Sequence, residues 1–189
     1  MKKLLIISSL LLVLCVGAYA QKFRGSDKSA MDIAYYPDDF AHDRKFAPTK
    51  VGDKAFVRVI YSRPAKKERE IFGKLIPYDK VWRVGANEAT EIKFYQDVTI
   101  QGQKVKAGVY ALFAIPNETE WTIILNSDLD QWGAYSYKES NDVLRVIASA
   151  QKMDEAVEVF SIRFSRQTES SIIMSMGWDK TLVELPIGL

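Results

Sequence analysis

The chain has 189 residues but only one cysteine and one histidine. Cys15 lies in an apolar N-terminal run and His42 in a polar stretch, so neither a Cys-His nor a Ser-His-Asp relay has an ordered place to form. A tetrahedral zinc site lacks ligands for the same reason. There is no Gly-x-Ser-x-Gly elbow, and neither Gly-x-Gly-x-x-Gly nor Gly-x-x-x-x-Gly-Lys-Ser/Thr occurs to cradle phosphate. No metal, no cofactor and no familiar nucleophile is therefore expected.

Two partial motifs fail when inspected. Asn126-Ser127-Asp128-Leu129-Asp130 spaces oxygen atoms as a calcium loop does, but Gln131 and Tyr137 stand where that loop needs Gly and a bidentate Glu. The stretch reads as a turn rich in Asx residues. Asn117-Glu118-Thr119 has the form of a glycosylation sequon and reads more simply as a hairpin turn.

Long apolar runs are absent except at the start. Lys2 and Lys3, the apolar residues 4–16 and Ala18-Tyr19-Ala20 have the order of a cleaved signal peptide over residues 1–20. The run is shorter than the roughly 20 residues a membrane-spanning helix needs. The chain is expected to be exported, to the periplasm or beyond the cell, with no integral span after cleavage. Removing Lys2 and Lys3 reduces 26 basic residues to 24, equal to the 24 acidic ones. A neutral domain offers no field to draw nucleic acid, so the expected partners are a glycan or peptide ligand, or another protein.

What the chain does have is β-branched and aromatic residues in short segments. Residues 21–52 are polar and without period, and are expected to be an extended arm, with Ile33-Ala34-Tyr35-Tyr36 adding at most a short strand. From residue 53 the texture changes. Strands are expected at residues 55–61, 81–84, 91–95, 98–100, near 105, and at 109–115 and 121–125. In residues 91–95, Ile92 and Phe94 face inward and Glu91 and Lys93 outward. Residues 141–157 fit either a helix or a strand and are taken as strand, followed by strands at 158–164, 172–178 and 181–185. Ile172, Met174, Met176 and Trp178 share one face. The expected fold is all-β, a single antiparallel β-sandwich of jelly-roll kind over residues 53–189, preceded by the arm.

Tyr61-Ser62-Arg63-Pro64, Ile71-Phe72-Gly73-Lys74-Leu75-Ile76-Pro77-Tyr78, Val81-Trp82-Arg83 with Gly85-Ala86-Asn87-Glu88-Ala89-Thr90, Ala107-Gly108-Val109-Tyr110, and Gln131-Trp132-Gly133-Ala134-Tyr135 together resemble a secreted bacterial family, domain-of-unknown-function family 2911. The resemblance runs from about residue 31 to residue 187. Val84 stands where the family more often has Thr. The resemblance implies a secreted, mostly β domain and no established activity.

The densest chemistry lies in residues 81–90. Trp82, Arg83, Asn87 and Glu88, with Trp132 and Tyr135 and, more weakly, Arg63, are the candidate ligand-binding residues. Indole and phenol rings offer flat apolar faces, and the polar groups offer directed hydrogen bonds. The competing expectation is a tight turn in which Gly85 takes a positive φ, Asn87 tolerates one, and Arg83 pairs with Glu88. Trp121 and Trp178 are expected in the core. A non-catalytic domain binding a glycan or peptide fits the residues best. The alternatives are a structural or interaction domain of the cell envelope and a carboxylate-based hydrolase using Glu88 with Glu91, Asp79 or Asp130. Glu88 and Glu91, three apart on an extended chain, are expected on opposite faces.

Overall fold

The computed structural model describes residues 23–189, and the expected signal segment lies outside them. Strand makes up 53% and helix 8%, which places the chain in the all-β class. The strands are β1 (Met31–Tyr36), β2 (Val57–Ser62), β3 (Thr90–Phe94), β4 (Val98–Ile100), β5 (Gln103–Val105), β6 (Gly108–Pro116), β7 (Glu120–Asn126), β8 (Asp142–Arg166) and β9 (Ser171–Gly188). All pairings are antiparallel, and the hydrogen-bonded order is β1-β2-β3-β6-β7-β8-β9-β4-β5.

The two sheets of the expected sandwich are thus one continuous sheet that curls on itself. Ala65, just past β2, bridges Val159 of β8, although β3, β6 and β7 lie between those strands in the ladder. The Phe160 amide donates to the Pro64 carbonyl at 3.0 Å. Strand β8 reaches both places because it is long and irregular, its register against β9 shifting between Lys152 and Val157 and again before Ser161. The expected separate strands at 141–157 and 158–164 are one strand. So are those at 172–178 and 181–185, which form β9.

Curling gives the sheet an inner face, and alternation fills it. Val57 and Val59, Ile92 and Phe94, Leu112 and Ala114, Trp121, Ile123 and Leu125, and Met174, Met176 and Trp178 belong to one buried cluster. Period-two side chains can do this only if every second residue of each strand is apolar, as here. The outer face carries a smaller cluster of Ala89, Ala111, Phe113 and Ile124, covered by residues of the 127–138 loop including Leu129, Ala134 and Tyr137.

The expected arm is more structured than its composition promises. Strand β1 pairs along the whole of β2. Two short helices follow, α1 (Phe40–Phe46) and α2 (Pro48–Val51). Pro48 cannot continue α1 but suits the first turn of α2. Phe40, Val51 and Ala55 bury a small cluster of their own against Tyr35, too local a pattern to show as a period. Among the described residues no helix is long and apolar enough to cross a membrane.

Candidate functional site

The stretch expected as a strand at 81–84 is instead the start of a loop thrown out of the sheet. Trp82 exchanges hydrogen bonds with Ala114 of β6, at 2.7 and 2.9 Å. The chain then leaves the ladder and rejoins it at Thr90, opposite Leu112. Residues 83–89 are extruded opposite a single residue, Phe113. The Thr90 amide closes the loop on the Arg83 carbonyl at 3.1 Å, and the Trp82 indole donates to the Gly85 carbonyl at 3.1 Å.

The positive φ expected at Asn87 is there, at 60°, but the other left-handed residue is Val84, at φ 53°, and not Gly85. Gly85 is required for space: a Cβ there would lie 3.0 Å from the Ser62 carbonyl oxygen and 3.2 Å from Thr90 Oγ1. The loop packs directly on the end of β2.

A second loop zips onto the first. Glu88 bridges Trp132, the Ala89 amide donates to the Gln131 carbonyl, and the Gly133 amide donates to the Asn87 carbonyl, both at 2.9 Å. The base of this second loop is tied by Asn126, which is fully buried. Its carboxamide donates to the Lys138 carbonyl and to Asp142, and its oxygen accepts from the Asp128 amide. That last contact is the Asx turn expected in place of a calcium loop. Tyr137 donates to Asp142 Oδ2 at 2.7 Å while its ring meets Phe113 edge-on. Burial first, then this bond, pushes the Tyr137 phenol well above its ordinary range.

The zipped loops sort the candidate residues. Trp82 is not a ligand platform: it is 4% exposed and packs against Phe72, Trp121, Phe160 and Trp178. A bridged residue on the inner face of a curled sheet has nowhere else to go. Arg63 is structural too. Its Nε donates to the Phe160 carbonyl, and its two terminal nitrogens reach Asp32 at 2.7 Å and Ser161 at 2.8 Å, binding β1 and β8 to the end of β2.

The other five do come together. Trp132 is 57% exposed and Tyr135 is 89% exposed, while Trp121 and Trp178 are 1% exposed in the core. A Cβ on Gly133 (φ 68°) would meet the Tyr135 ring at 3.0 Å and Arg83 Cδ at 3.9 Å, so phenol and Arg83 stem flank the same glycine. The Arg83–Glu88 pair expected in a purely structural turn is absent. Among the described residues no carboxylate lies within ion-pair distance of Arg83, and its Nε is buried without a partner. Burial lowers the pKa of this guanidinium. Asn87 faces Asp27, whose carboxyl is held low by the Ser29 amide and then by Asn87.

Beside the rim is a cavity of about 220 Å³, lined by Met31, Ile60, Glu88, Glu91, Asp130 and Gln131, among others. Glu88 and Glu91 therefore line one cavity, not opposite faces. The extended-chain expectation fails because Glu88 belongs to the extruded loop and Glu91 to the regular strand. Met31, Ile60 and Gln131 were not legible as lining residues, since only the β1–β2 register and the loop zipper bring them here. Among the described residues no three His, Cys, Asp or Glu side chains are grouped to hold a metal ion.

These features define an all-β domain whose outer face carries two interlocked loops with an aromatic and cationic rim. Over residues 43–187 the chain matches the family described as Protein of unknown function (DUF2911), and it belongs to that family. No curated protein and no solved structure matches the chain.

Proposed function

We propose that this is a non-catalytic binding domain, working outside the cytoplasm after export, whose ligand face is the rim of Trp132, Tyr135, Arg83, Asn87 and Glu88. One observation carries the proposal. Of four tryptophans, three are sealed in the core, and the fourth stands open beside an exposed tyrosine and an arginine with no carboxylate partner. An exposed indole next to polar side chains, an arginine without a carboxylate partner among them, is the composition of a recognition surface, because its flat face gains from burial and its neighbours supply direction. A glycan or a peptide could use such a face. Export is supported by the order of charge, apolar run and small residues at the N-terminus.

Thermal-shift screening of the purified protein against oligosaccharides and short peptides tests the proposal. A ligand at about 100 times its dissociation constant adds about 2.7 kcal/mol. Trp132→Ala and Tyr135→Ala are expected to remove the shift without lowering the melting temperature of the free protein. Turnover of nitrophenyl glycosides that disappears in Glu88→Gln would instead make the domain a hydrolase, since Glu88 and Glu91 share a cavity.

A further inference from the structure

We infer that the ligand of this domain is an acidic glycan, one of whose uronate rings lies on the open face of Tyr135 while Arg83 takes its carboxylate. The inference rests on the rim being a ligand face and names the chemistry that face takes.

Arg83 is a cation held in place without a counterion. The Tyr135 ring and the Arg83 stem close around Gly133, where a Cβ would meet the ring at 3.0 Å and Arg83 Cδ at 3.9 Å. Its Nε is sealed without a partner. The two terminal nitrogens are not sealed in that way and make no hydrogen bond among the described residues, so they end at the surface. Arg63, Arg69 and Arg145 differ, because each gives a terminal nitrogen to a protein oxygen. Burial lowers the pKa of Arg83, and among the described residues the group that opposes this is the Tyr135 phenol, not a carboxylate. A guanidinium stripped of part of its water and given no acid gains most from a carboxylate that a ligand brings, since the two meet through parallel N–H bonds.

The acids of the region lie on the other flank. Glu88, Glu91 and Asp130 line the cavity of about 220 Å³, which neither Arg83 nor Tyr135 lines, and none of them pairs with Arg83. Asp27 is bonded to the Ser29 amide and to Asn87. A ligand carboxylate at Arg83 therefore displaces no ion pair of the protein.

The shape of the site selects among carboxylates. Phenol and guanidinium stem flank one glycine, so a flat apolar face and a negative charge must belong to the same small unit. In a uronate the carboxylate is attached directly to the pyranose ring, whose CH face suits an aromatic ring. An Asp or Glu side chain of a peptide carries its charge on a flexible stem and brings no flat face, which leaves Tyr135 uncovered. Trp132, next to Gly133 in the chain and 57% exposed, is open to the following sugar.

The test is titration of the protein with the trimers of galacturonate and mannuronate and with a hyaluronan tetrasaccharide, each beside its methyl ester, which keeps the sugar and removes the charge. Chemical shifts of the amides and of the Arg83 Nε–H report binding. The expected result is that at least one acid shifts Arg83, Gly133 and Tyr135 and binds about tenfold more tightly than its ester, an advantage lost in Arg83→Gln and in added salt. The comparison of acid with ester uses the unaltered protein, so it decides the matter even if Arg83→Gln fails to fold. Equal binding of acid and ester, or a preference for the acid that survives in folded Arg83→Gln, overturns the inference. Acetyl-Gly-Glu-Gly-amide and cellotetraose, run in parallel, separate the two failures. A response of Trp132 or Tyr135 to the peptide or to the neutral sugar alone leaves the rim as a ligand face and removes the acidic glycan. Silence with every compound removes both.

Discussion

Thr90 Oγ1 donates a 2.6 Å hydrogen bond to the carbonyl of Val84, across the neck of the loop that carries Arg83, Asn87 and Glu88. Val84 is fully buried and β-branched yet has φ 53°, a conformation that costs roughly 1–3 kcal/mol. Its strained peptide group therefore depends on one hydroxyl for a partner. Thr90→Val, which keeps the shape and removes the donor, is expected to cost about 1–3 kcal/mol in urea unfolding, with Thr90→Ser close to the parent protein. Equal stability of Thr90→Val and Thr90→Ser would mean that the hydroxyl does not hold the neck.

Gly85 permits the loop to dock on β2. Gly85→Ala places a methyl 3.0 Å from the Ser62 carbonyl oxygen, a backbone atom that cannot swing aside. Overpacking of this kind costs about 1–3 kcal/mol. Gly25→Ala, at a glycine with open space and no positive φ, is the control and is expected to leave the urea midpoint unchanged, whereas Gly85→Ala lowers it; equal midpoints would mean that the clash does not matter.

Those two residues also mark where the sequence was legible and where it was not. Alternation in residues 91–94 and 172–178 put Ile92, Phe94, Met174 and Trp178 on the inner face, because pleating depends only on neighbours. It could not tell that Trp82 is a single bridged residue with its ring in the core, since a strand and a loop entry have the same composition. Nor could it tell that Val84, and not Gly85, bends backwards, because the cause is a hydroxyl six residues on. The long β8 was read as two strands for a similar reason. Its middle is polar and exposed where the register slips, which on paper is a break. The candidate site was legible as a motif, but its pairing with residues 130–135 depends on contacts distant in sequence.

Arg63 supplies a prediction in the negative. It clamps β1 and β8 through Asp32, Ser161 and the Phe160 carbonyl, with its side chain about one third exposed. Lysine cannot reproduce three directed contacts from one planar group. Arg63→Lys is expected to cost about 1 kcal/mol, small because water screens the exposed pair with Asp32. Affinity at the rim should be unchanged, and a loss of ligand binding at full stability would return Arg63 to the site.

Tyr137 makes the 127–138 loop sensitive to alkali. Its pKa is raised above the ordinary value of 10.0 by burial and then by its bond to Asp142. A raised acid favours its neutral form in the fold. Its contribution is therefore complete below about pH 10 and is lost as pH rises beyond it. Tyr61, also raised by burial, adds to the same limb. Tyr137→Phe should be less stable at neutral pH, having lost the bond, but should fall less steeply between about pH 10 and pH 12. Urea midpoints across that range for both proteins measure the difference, and parallel curves would show that Tyr137 takes no part.

Trp132 can be observed directly. The Trp82 ring lies 5.6 Å from that of Trp121 and 6.1 Å from that of Trp178, all three closed to solvent, whereas Trp132 is more than half exposed. Iodide, a charged quencher, cannot enter an apolar core without a large desolvation penalty. Nearly all iodide-accessible fluorescence should therefore come from one residue. Trp132→Phe is expected to abolish quenching and shift the remaining emission to shorter wavelength, while Trp121→Phe leaves the quenchable fraction in place. The same signal reports on ligand, because a molecule lying on the indole excludes iodide in proportion to occupancy. Quenching that survives in Trp132→Phe would mean that the aromatic core opens to solvent. The curled sheet would then be looser along the Trp82 edge than its hydrogen bonds to Ala114 indicate.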